Sequence, residues 1–249
     1  MPLEPIVKSS LSDSVFQQLS AQILTGELAA GEVIASERAL TEIFGVNRQA
    51  VREALKRMQQ AGLIRISQGD ATTVLDYRQT AGLDLLPLLA AHSTAPDAAT
   101  LELVQSSMEM RQCIGADAAA LCALRAIEPI PGRLLDLVAA MEAAPDDPLR
   151  LGPLSETFWE VLVDGSGNVA YRLALNTLNA SARHQQALAY ALIGPELIDR
   201  AAYRALARAI GAGNAKTARA AAHALLAKGV DVVAQLANAA RLTHVERTH

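Results

Sequence analysis

The chain has 249 residues, which is long for one domain and enough for two. Its net charge of −4 argues against a protein that coats nucleic acid through bulk positive charge, but it does not exclude a protein that concentrates positive charge on one element. Hydrophobic residues make up 51% of the chain and aromatic residues only 3%, so Ala, Leu, Val and Ile must build the core. Because Ala and Leu are good helix formers and β-prone runs are rare, the composition predicts a mainly helical fold.

The sequence carries no signal for secretion, for a membrane or for a metal. Residues 1–10 lack the apolar stretch of a signal peptide, and no apolar run is long enough to span a bilayer. Cys113 and Cys122 lie nine positions apart in a helical pattern, so burial on a helix explains them better than a disulfide or a zinc site. We therefore expect a cytoplasmic protein that has no contact with a membrane and needs no cofactor.

The first third of the chain predicts three helices and then two short β-prone runs. The helices cover residues 13–25, 36–44 and 47–61, and the β-prone runs cover 63–67 and 72–75. The predicted N-caps are Ser12, Ser36 and Asn47, while Gly26, Gly45 and Gly62 end segments. A helix, a helix, a tight turn, a helix and a hairpin in this order form a winged helix-turn-helix. We predict this domain over residues 1–76.

The remainder of the chain shows helical periodicity only. Residues 77–82 are predicted to be a linker, and residues 83–242 contain about six helical segments separated by short Gly- and Pro-containing loops. Residues 243–249 lack any pattern and are predicted to be a disordered tail. The predicted fold class is therefore mainly α, a winged helix-turn-helix followed by an all-α bundle.

The third predicted helix carries a local basic stripe. Arg48, Arg52 and Lys56 follow one another at four-residue spacing and share one face, whereas Val51 and Leu55 lie on another. The net charge of residues 46–66 is +4 within an acidic protein. Arginine pairs bidentately with guanine or binds phosphate, and the helix N-terminus adds backbone donors. A stripe of this kind can be an ordinary solvated face, but after a tight turn and before a hairpin it favours binding in the major groove of DNA.

The same residues resemble the GntR family of bacterial regulators. The matching segments are Gly26-Glu-Leu-Ala-Ala-Gly-Glu32, Ser36-Glu-Arg-Ala-Leu40, Phe44-Gly-Val-Asn-Arg-Gln-Ala-Val-Arg-Glu-Ala-Leu55 and Gly62-Leu-Ile64. The resemblance implies that Arg38, Arg48 and Arg52 contact operator DNA, and that Asn47 and Gln49 flank them at base edges or phosphates. It also implies a homodimer on a near-palindromic operator of double-stranded DNA.

The tip of the wing departs from the family pattern. It is Gln68-Gly69-Asp70, and relatives often carry a basic or small residue where Asp70 stands. A carboxylate close to phosphates is unfavourable. Contact of the wing with DNA would therefore rest on Gln68 and on the backbone of Gly69.

The helical part resembles the effector domain of the fatty-acid-regulator subfamily within this family. The matching segments are Met110-Arg111, Ala118-Ala-Ala-Leu-Cys-Ala123, Phe158-Trp159, Ser166-Gly-Asn168, Tyr203-Arg-Ala-Leu-Ala-Arg-Ala-Ile210 and Gly213-Asn214. The resemblance implies a bundle around a polar pocket for a metabolite, often with a metal ion. Ligand binding there would alter the spacing of the two DNA-binding heads in the dimer.

The resemblance also names residues that would bind the effector. These candidates are Arg111, Trp159, Tyr171, Asn176 and Tyr203. The family's counterpart of Arg111 faces an anionic ligand, which suggests an acyl-coenzyme A ester or another carboxylate as the effector. The fatty-acid branch also has a Gly-Glu-Ser stretch and a later Trp, but at about those positions this chain has Ala224, Leu226, Ala227 and Asp231. Recognition of acyl-coenzyme A is therefore not carried over residue by residue.

The metal ligands of the metal-binding relatives are missing. Their Asp and three His positions fall here at Ser155, Trp159, Tyr203 and about Leu225, with His223 two residues away on a different face. We therefore predict that no metal is bound. The rings of Trp159 and Tyr203 would fill the space instead and make the pocket more apolar.

The sequence contains no enzyme motif that we recognise. Residues 164–168 lack the glycine spacing of a nucleophile elbow, and the five histidines show no ligand spacing. The predicted function is a ligand-responsive repressor. The alternatives are a constitutive DNA-binding regulator without an effector and an all-α enzyme.

Overall fold

The computed structural model describes residues 10–67, 71–92 and 98–246, without the side chains of residues 98, 99, 184 and 240–246. The chain divides into two compact units, Met1–His92 and Ser93–His249. Each unit has its own hydrophobic core.

The first unit is a winged helix-turn-helix, as predicted. Its elements are α1 (Leu11–Leu24), α2 (Glu37–Phe44), α3 (Arg48–Gln60), β1 (Ile64–Arg65), β2 (Thr73–Val74), α4 (Tyr77–Thr80), a 3-10 turn (Leu83–Leu85) and α5 (Leu86–His92). The two strands are antiparallel, with Ile64 opposite Val74 and Arg65 opposite Thr73. Gly45 has φ +62°, a left-handed conformation that the tight turn between α2 and α3 requires.

Two of the three predicted helix caps are confirmed and one is wrong. The Ser36 hydroxyl accepts a hydrogen bond from the amide of Ala39, and Asn47 Oδ1 accepts one from Ala50 at 2.8 Å. In α1 the cap is Ser10 rather than Ser12. Ser10 and Asp13 bond to each other's backbone amides, the reciprocal capping box that needs an acceptor three residues after the cap. Ser12 instead lies in the first turn of α1 and is buried.

The boundary between the units falls later than the sequence indicated. We expected a linker over 77–82 and the helical domain from residue 83, but the segment that follows the hairpin packs on the first core. Leu85 is buried there, and Leu88 and Leu89 pack against the same cluster. The apolar residues of 83–92 therefore complete the core of the winged unit.

The second unit is an all-α bundle, as predicted. Its long helices are α6 (Ala98–Arg125), α7 (Ile130–Ala143), α8 (Pro148–Gly165), α9 (Val169–Ala182), α12 (Arg200–Gly211) and α13 (Ala215–Glu246). Between α9 and α12 lie a 3-10 turn (Arg183–Gln185) and the short helices α10 (Gln186–Leu192) and α11 (Gly194–Leu197). The break predicted at Gly194-Pro195 falls between α10 and α11, but the periodicity did not separate α10 from α9 or α11 from α12. Residues 243–246 are helical rather than disordered, and 247–249 lie outside the described residues.

The two cysteines differ in environment. Cys122 is fully buried on α6, as predicted, and burial raises the pKa of its thiol to about 11. Cys113 is exposed, so burial does not explain it. The two residues are nine positions apart on one helix, an offset that turns their side chains in different directions.

One helix in the described part of the chain contains a segment, Ala215–Ala239, that is long and apolar enough to cross a membrane, with a mean hydropathy of 1.2. The prediction that no run reaches this length was therefore wrong. Length and composition are weak evidence, because a core helix passes the same test. The buried side chains of α13 form one stripe that includes Ala218, Ala222, Leu225 and Val233, which is typical of a helix packed on one side.

Gly152 in α8 provides a test of the packing of α10. A Cβ atom at this position would overlap the ring of Tyr190, which is buried and donates a hydrogen bond to Glu156. Burial and the Glu156 carboxylate raise the pKa of Tyr190 to about 12, so the phenol keeps the proton that it donates.

We expect Gly152→Ala to lower the free energy of unfolding by about 1–3 kcal/mol, because the ring must move out of a packed site. Urea unfolding measures the change. Gly211→Ala is the matched control, since a Cβ there meets only Pro131 Cβ at 3.8 Å, an ordinary contact distance, and it should leave stability the same or raise it by up to about 1 kcal/mol. Equal stability of the two variants would contradict the packing described for Tyr190.

Candidate functional site

The outward face of α3 is basic and the inward face is apolar. Arg48, Arg52 and Lys56 are exposed. Val51, Leu55 and Met58 are at most 2% exposed and belong to the core of the winged unit. The structure thus presents the predicted stripe of cations to solvent.

Four of the predicted DNA-binding residues are engaged within the winged unit. Three contact exposed glutamates, and the fourth caps α3. Arg52 Nε lies 3.7 Å from Glu37 Oε1, and Arg38 Nε lies 3.2 Å from Glu42 Oε1. Gln49 donates to Glu53, and the oxygen of Asn47 caps α3. Exposed ion pairs contribute about 0–1 kcal/mol, so the arginines can exchange these carboxylates for phosphate or guanine at little cost.

Arg57 does not belong to the basic stripe. Its guanidinium bonds to Asp13 of α1 and lies over the Phe16 ring, 4.3 Å from the centroid. The Ser10 hydroxyl and then the Arg57 guanidinium hold the pKa of Asp13 below its usual value. Arg57 therefore holds α3 against α1. Because Asp13 balances its charge, the net charge of +4 counted over residues 46–66 is larger than the unbalanced positive charge of this part of the unit.

The predicted wing contacts cannot be placed. Gln68, Gly69 and Asp70 lie outside the described residues. The hairpin strands that would carry them, β1 and β2, are paired as predicted.

In the helical unit, a fully buried carboxylate organises the candidate effector site. Arg111 on α6 and Glu196 on α11 form a bidentate pair, with Nη1 to Oε2 at 2.6 Å and Nη2 to Oε1 at 2.8 Å. The side chain of Glu196 is 0% exposed and that of Arg111 is 17% exposed. Removal of one partner from a buried pair of this kind typically costs about 3–5 kcal/mol, because the other charge is left unpaired.

Two predicted aromatic residues complete the coordination of this carboxylate. Glu196 Oε1 also accepts hydrogen bonds from the Tyr203 hydroxyl at 2.9 Å and from Trp159 Nε1 at 3.2 Å. Ser155 Oγ lies 2.7 Å from the Tyr203 hydroxyl. Since that hydroxyl has one proton and gives it to Glu196, Ser155 is the donor of the second bond.

The electrostatics of the cluster agree with this geometry. Burial opposes the charge of Arg111, but the Glu196 carboxylate outweighs burial and raises the pKa of the guanidinium. Burial and then the negative charge of Glu196 raise the pKa of Tyr203 well above its usual value. Tyr203 is therefore a neutral donor, and the cluster holds one positive and one negative charge.

A small cavity of about 20 Å³ lies beside the pair. Its lining consists of Arg111, Ile114, Gly115, Trp159, Val163, Leu175, Leu178 and Leu226. This volume accommodates about one water molecule. An effector larger than water must therefore push the apolar walls apart.

The structure brings together three of the five predicted effector residues. Arg111, Trp159 and Tyr203 all contact Glu196. Tyr171 belongs to a separate cluster, where its hydroxyl donates to Asp117 at 2.9 Å. Asn176 is exposed on α9, so it does not join the site.

The residues at the family's metal positions do not fit a divalent ion. The Trp159 indole is a donor only, and the Ser155 and Tyr203 hydroxyls are engaged with each other. Both oxygens of Glu196 are used by Arg111, Tyr203 and Trp159. In the part of the chain that the structure describes, no group of three or more His, Cys, Asp or Glu could hold a metal.

Sequence reasoning missed Glu196. The residue follows Gly194-Pro195, which reads as a loop and a helix start, and an acidic residue in a first helical turn is ordinary. The expectation that Arg111 is available to an anionic effector was made without this partner. A buried arginine needs a counter-charge, but the sequence does not say which of the 26 acidic residues supplies it.

A winged helix-turn-helix with an exposed basic helix, joined to a helical unit with a buried polar site, defines a DNA-binding transcription regulator with a sensor domain. The profile of "Bacterial regulatory proteins, gntR family" matches residues 11–74, and that of the "FCD domain" matches residues 106–228. The chain belongs to the GntR family and carries an FCD effector-binding domain. It is a transcription regulator rather than an enzyme.

Relatives with known descriptions agree with this assignment. The HTH-type transcriptional regulator Mce2R of Mycobacterium tuberculosis is 37% identical over 226 residues, which cover 91% of this chain and 92% of the relative. A fatty acid metabolism regulator protein of Pectobacterium carotovorum is 29% identical over 150 residues, 59% of each chain. The structure of Lar, from Listeria monocytogenes, is 17% identical, has a TM-score of 0.59 and covers 93% of this chain and 100% of that one; it supports the fold.

Proposed function

We propose that this chain is a cytoplasmic repressor that binds a near-palindromic operator as a homodimer and releases it when a small molecule enters the helical unit. The observation that carries the proposal is the outward face of α3, where basic side chains stand on a helix whose other face is buried. A helix of this kind after a tight turn fits the major groove.

Within the proposal, each predicted DNA-binding residue has a role. Arg48 and Arg52 contact guanine or phosphate from adjacent turns of α3, and Arg38 contacts phosphate from α2. Asn47 and Gln49, at the N-terminal end of α3, flank these arginines at base edges or phosphates. Gln68 and the Gly69 backbone would add a wing contact, a role that rests on the sequence alone.

The proposal of a dimer rests on interface size. One winged helix offers a small surface to DNA, and specific regulators usually bind two half-sites related by a two-fold axis. The helical unit, whose helices run from Ala98 to Glu246, is large enough to supply both a dimer contact and a sensor.

Selection of binding sequences from a random double-stranded DNA library tests the proposal. We expect the selected sequences to contain two inverted half-sites whose centres lie about 10 base pairs, or a multiple of this, apart. Light scattering should give twice the chain mass of 26.3 kDa. A monomer bound to a single half-site, or no selected sequence, would contradict the proposal.

The effector would occupy the cavity beside Arg111 and Trp159. An acyl group suits its apolar walls, and relatives described as fatty acid metabolism regulators favour an effector with a hydrocarbon part. A constitutive regulator without an effector is the second candidate. It is favoured by one observation, the cavity volume of about 20 Å³.

A further inference from the structure

The charge at the candidate effector site is already balanced within the chain. Of the described residues that line the cavity, Arg111 alone carries a charge. Both of its terminal nitrogens are bonded to the two oxygens of Glu196, at 2.6 and 2.8 Å. An entering molecule therefore meets a neutral pair, not a free cation.

Displacement of Glu196 from Arg111 by a ligand is unfavourable. Its side chain is 0% exposed, and it is also held by the Tyr203 hydroxyl and the Trp159 indole. A ligand carboxylate that bound Arg111 in place of Glu196 would leave Glu196 without its counter-charge in a site with little water. Two negative charges would then share one guanidinium, and such repulsion is strong where the dielectric constant is low.

The remaining walls favour hydrocarbon. Ile114, Leu175, Leu178 and Leu226 line the cavity, and Leu226 packs directly on Gly115. A Cβ atom at Gly115 would overlap Leu226 Cδ1 and lie 3.4 Å from Trp159 Cζ3. The cavity can therefore grow by movements of these isoleucine and leucine side chains, which then bury any hydrocarbon chain or ring that enters.

We infer that this pocket takes an uncharged, apolar molecule, a hydrocarbon chain or ring with at most a neutral polar group, and excludes the corresponding carboxylate. Glu196 is the residue that determines this specificity, because it neutralises Arg111 from inside the protein. The inference rests on the proposed function of the helical unit as a sensor, and it narrows the class of effector.

The test compares two probes with the same hydrocarbon chain, methyl decanoate and sodium decanoate, below their aggregation concentrations at pH 7.5. Trp159 is the only tryptophan and lines the cavity, so its fluorescence reports binding to the full chain. We expect saturable binding of the ester at least about tenfold tighter than that of the carboxylate, since burial of a like charge is the difference between them.

Glu196→Gln removes the negative charge of the pair with little change in shape. It leaves the Arg111 charge unpaired, so we expect decanoate to bind at least about tenfold tighter than to the parent while the ester changes little. Glu142→Gln is the matched control, because Glu142 pairs with Arg204 in the same unit and neither residue lines the cavity. Should Glu196→Gln fail to fold, the comparison of the two probes on the parent protein still decides the matter.

The inference is overturned if decanoate binds the parent protein as tightly as the ester, or if neither probe changes Trp159 fluorescence. These results are separable from a failure of the proposed function, which the DNA selection measures. If decanoate binds and releases the selected DNA, the proposed function stands and the neutral pocket is wrong. If the ester binds but no DNA sequence is selected, the pocket is right and the regulator proposal falls.

Discussion

Glu196→Ala is expected to lower the free energy of unfolding of the helical unit by about 3–5 kcal/mol, because Arg111 is left as a buried charge without a partner. The loss is large for this chain because Glu196 also receives hydrogen bonds from Tyr203 and Trp159. Because the chain has two units, each unit can unfold in its own transition. Urea unfolding followed by the fluorescence of Trp159, the only tryptophan, isolates the helical unit.

Two controls separate loss of the pair from general damage. Glu142→Ala removes a partner of Arg204, a pair whose arginine is 45% exposed, and should cost at most about 1 kcal/mol. The double variant Arg111→Met with Glu196→Leu removes both charges and should recover part of the lost stability, because no charge is left unpaired. The recovery is incomplete because the Tyr203 hydroxyl and the Trp159 indole lose their shared acceptor. A loss in Glu196→Ala no larger than in Glu142→Ala would show that the buried pair does not hold the helical unit together.

Arg48→Ala and Arg52→Ala are each expected to weaken operator binding by about 1–3 kcal/mol, which is about 5- to 150-fold in affinity. Both side chains lie on the outward face of α3 and neither belongs to the core, so the fold should be unchanged. Fluorescence anisotropy with the selected operator measures the affinity at one fixed salt concentration, because phosphate contacts make binding depend strongly on salt.

Arg150→Ala is the matched control for these variants, since Arg150 is an exposed arginine in the helical unit. Arg57→Ala provides a second comparison within α3. Because Arg57 bonds to Asp13 and lies over Phe16, its loss should lower stability rather than remove a DNA contact. Unchanged operator affinity in both Arg48→Ala and Arg52→Ala would overturn the assignment of α3 as the DNA-reading helix.

The sequence by itself determined the winged unit, because the signals that define it are local. Ser36 and Asn47 cap helices within three residues of themselves, and Gly45 permits a left-handed turn that other residues rarely adopt. The four-residue spacing of Arg48 and Arg52 fixes their shared face through helix geometry alone. The all-α character of the second unit followed in the same way from periodicity and from the Gly and Pro positions that separate its long helices.

Only the tertiary structure decided how these elements use their charged and apolar groups. It assigned residues 83–92 to the winged unit, because Leu85 is buried in that core. It also paired Arg57, one of the cations counted in the net charge of residues 46–66, with Asp13 of α1.

The effector site is the clearest case of a feature that only the tertiary structure decided. Arg111 and Glu196 are 85 residues apart, and their local sequences carry no mark of a pair. Burial makes one charge require the other, but which carboxylate meets the arginine depends on how α6 and α11 pack. The family resemblance therefore located the arginine, and long-range packing supplied the partner that sets the charge of the pocket.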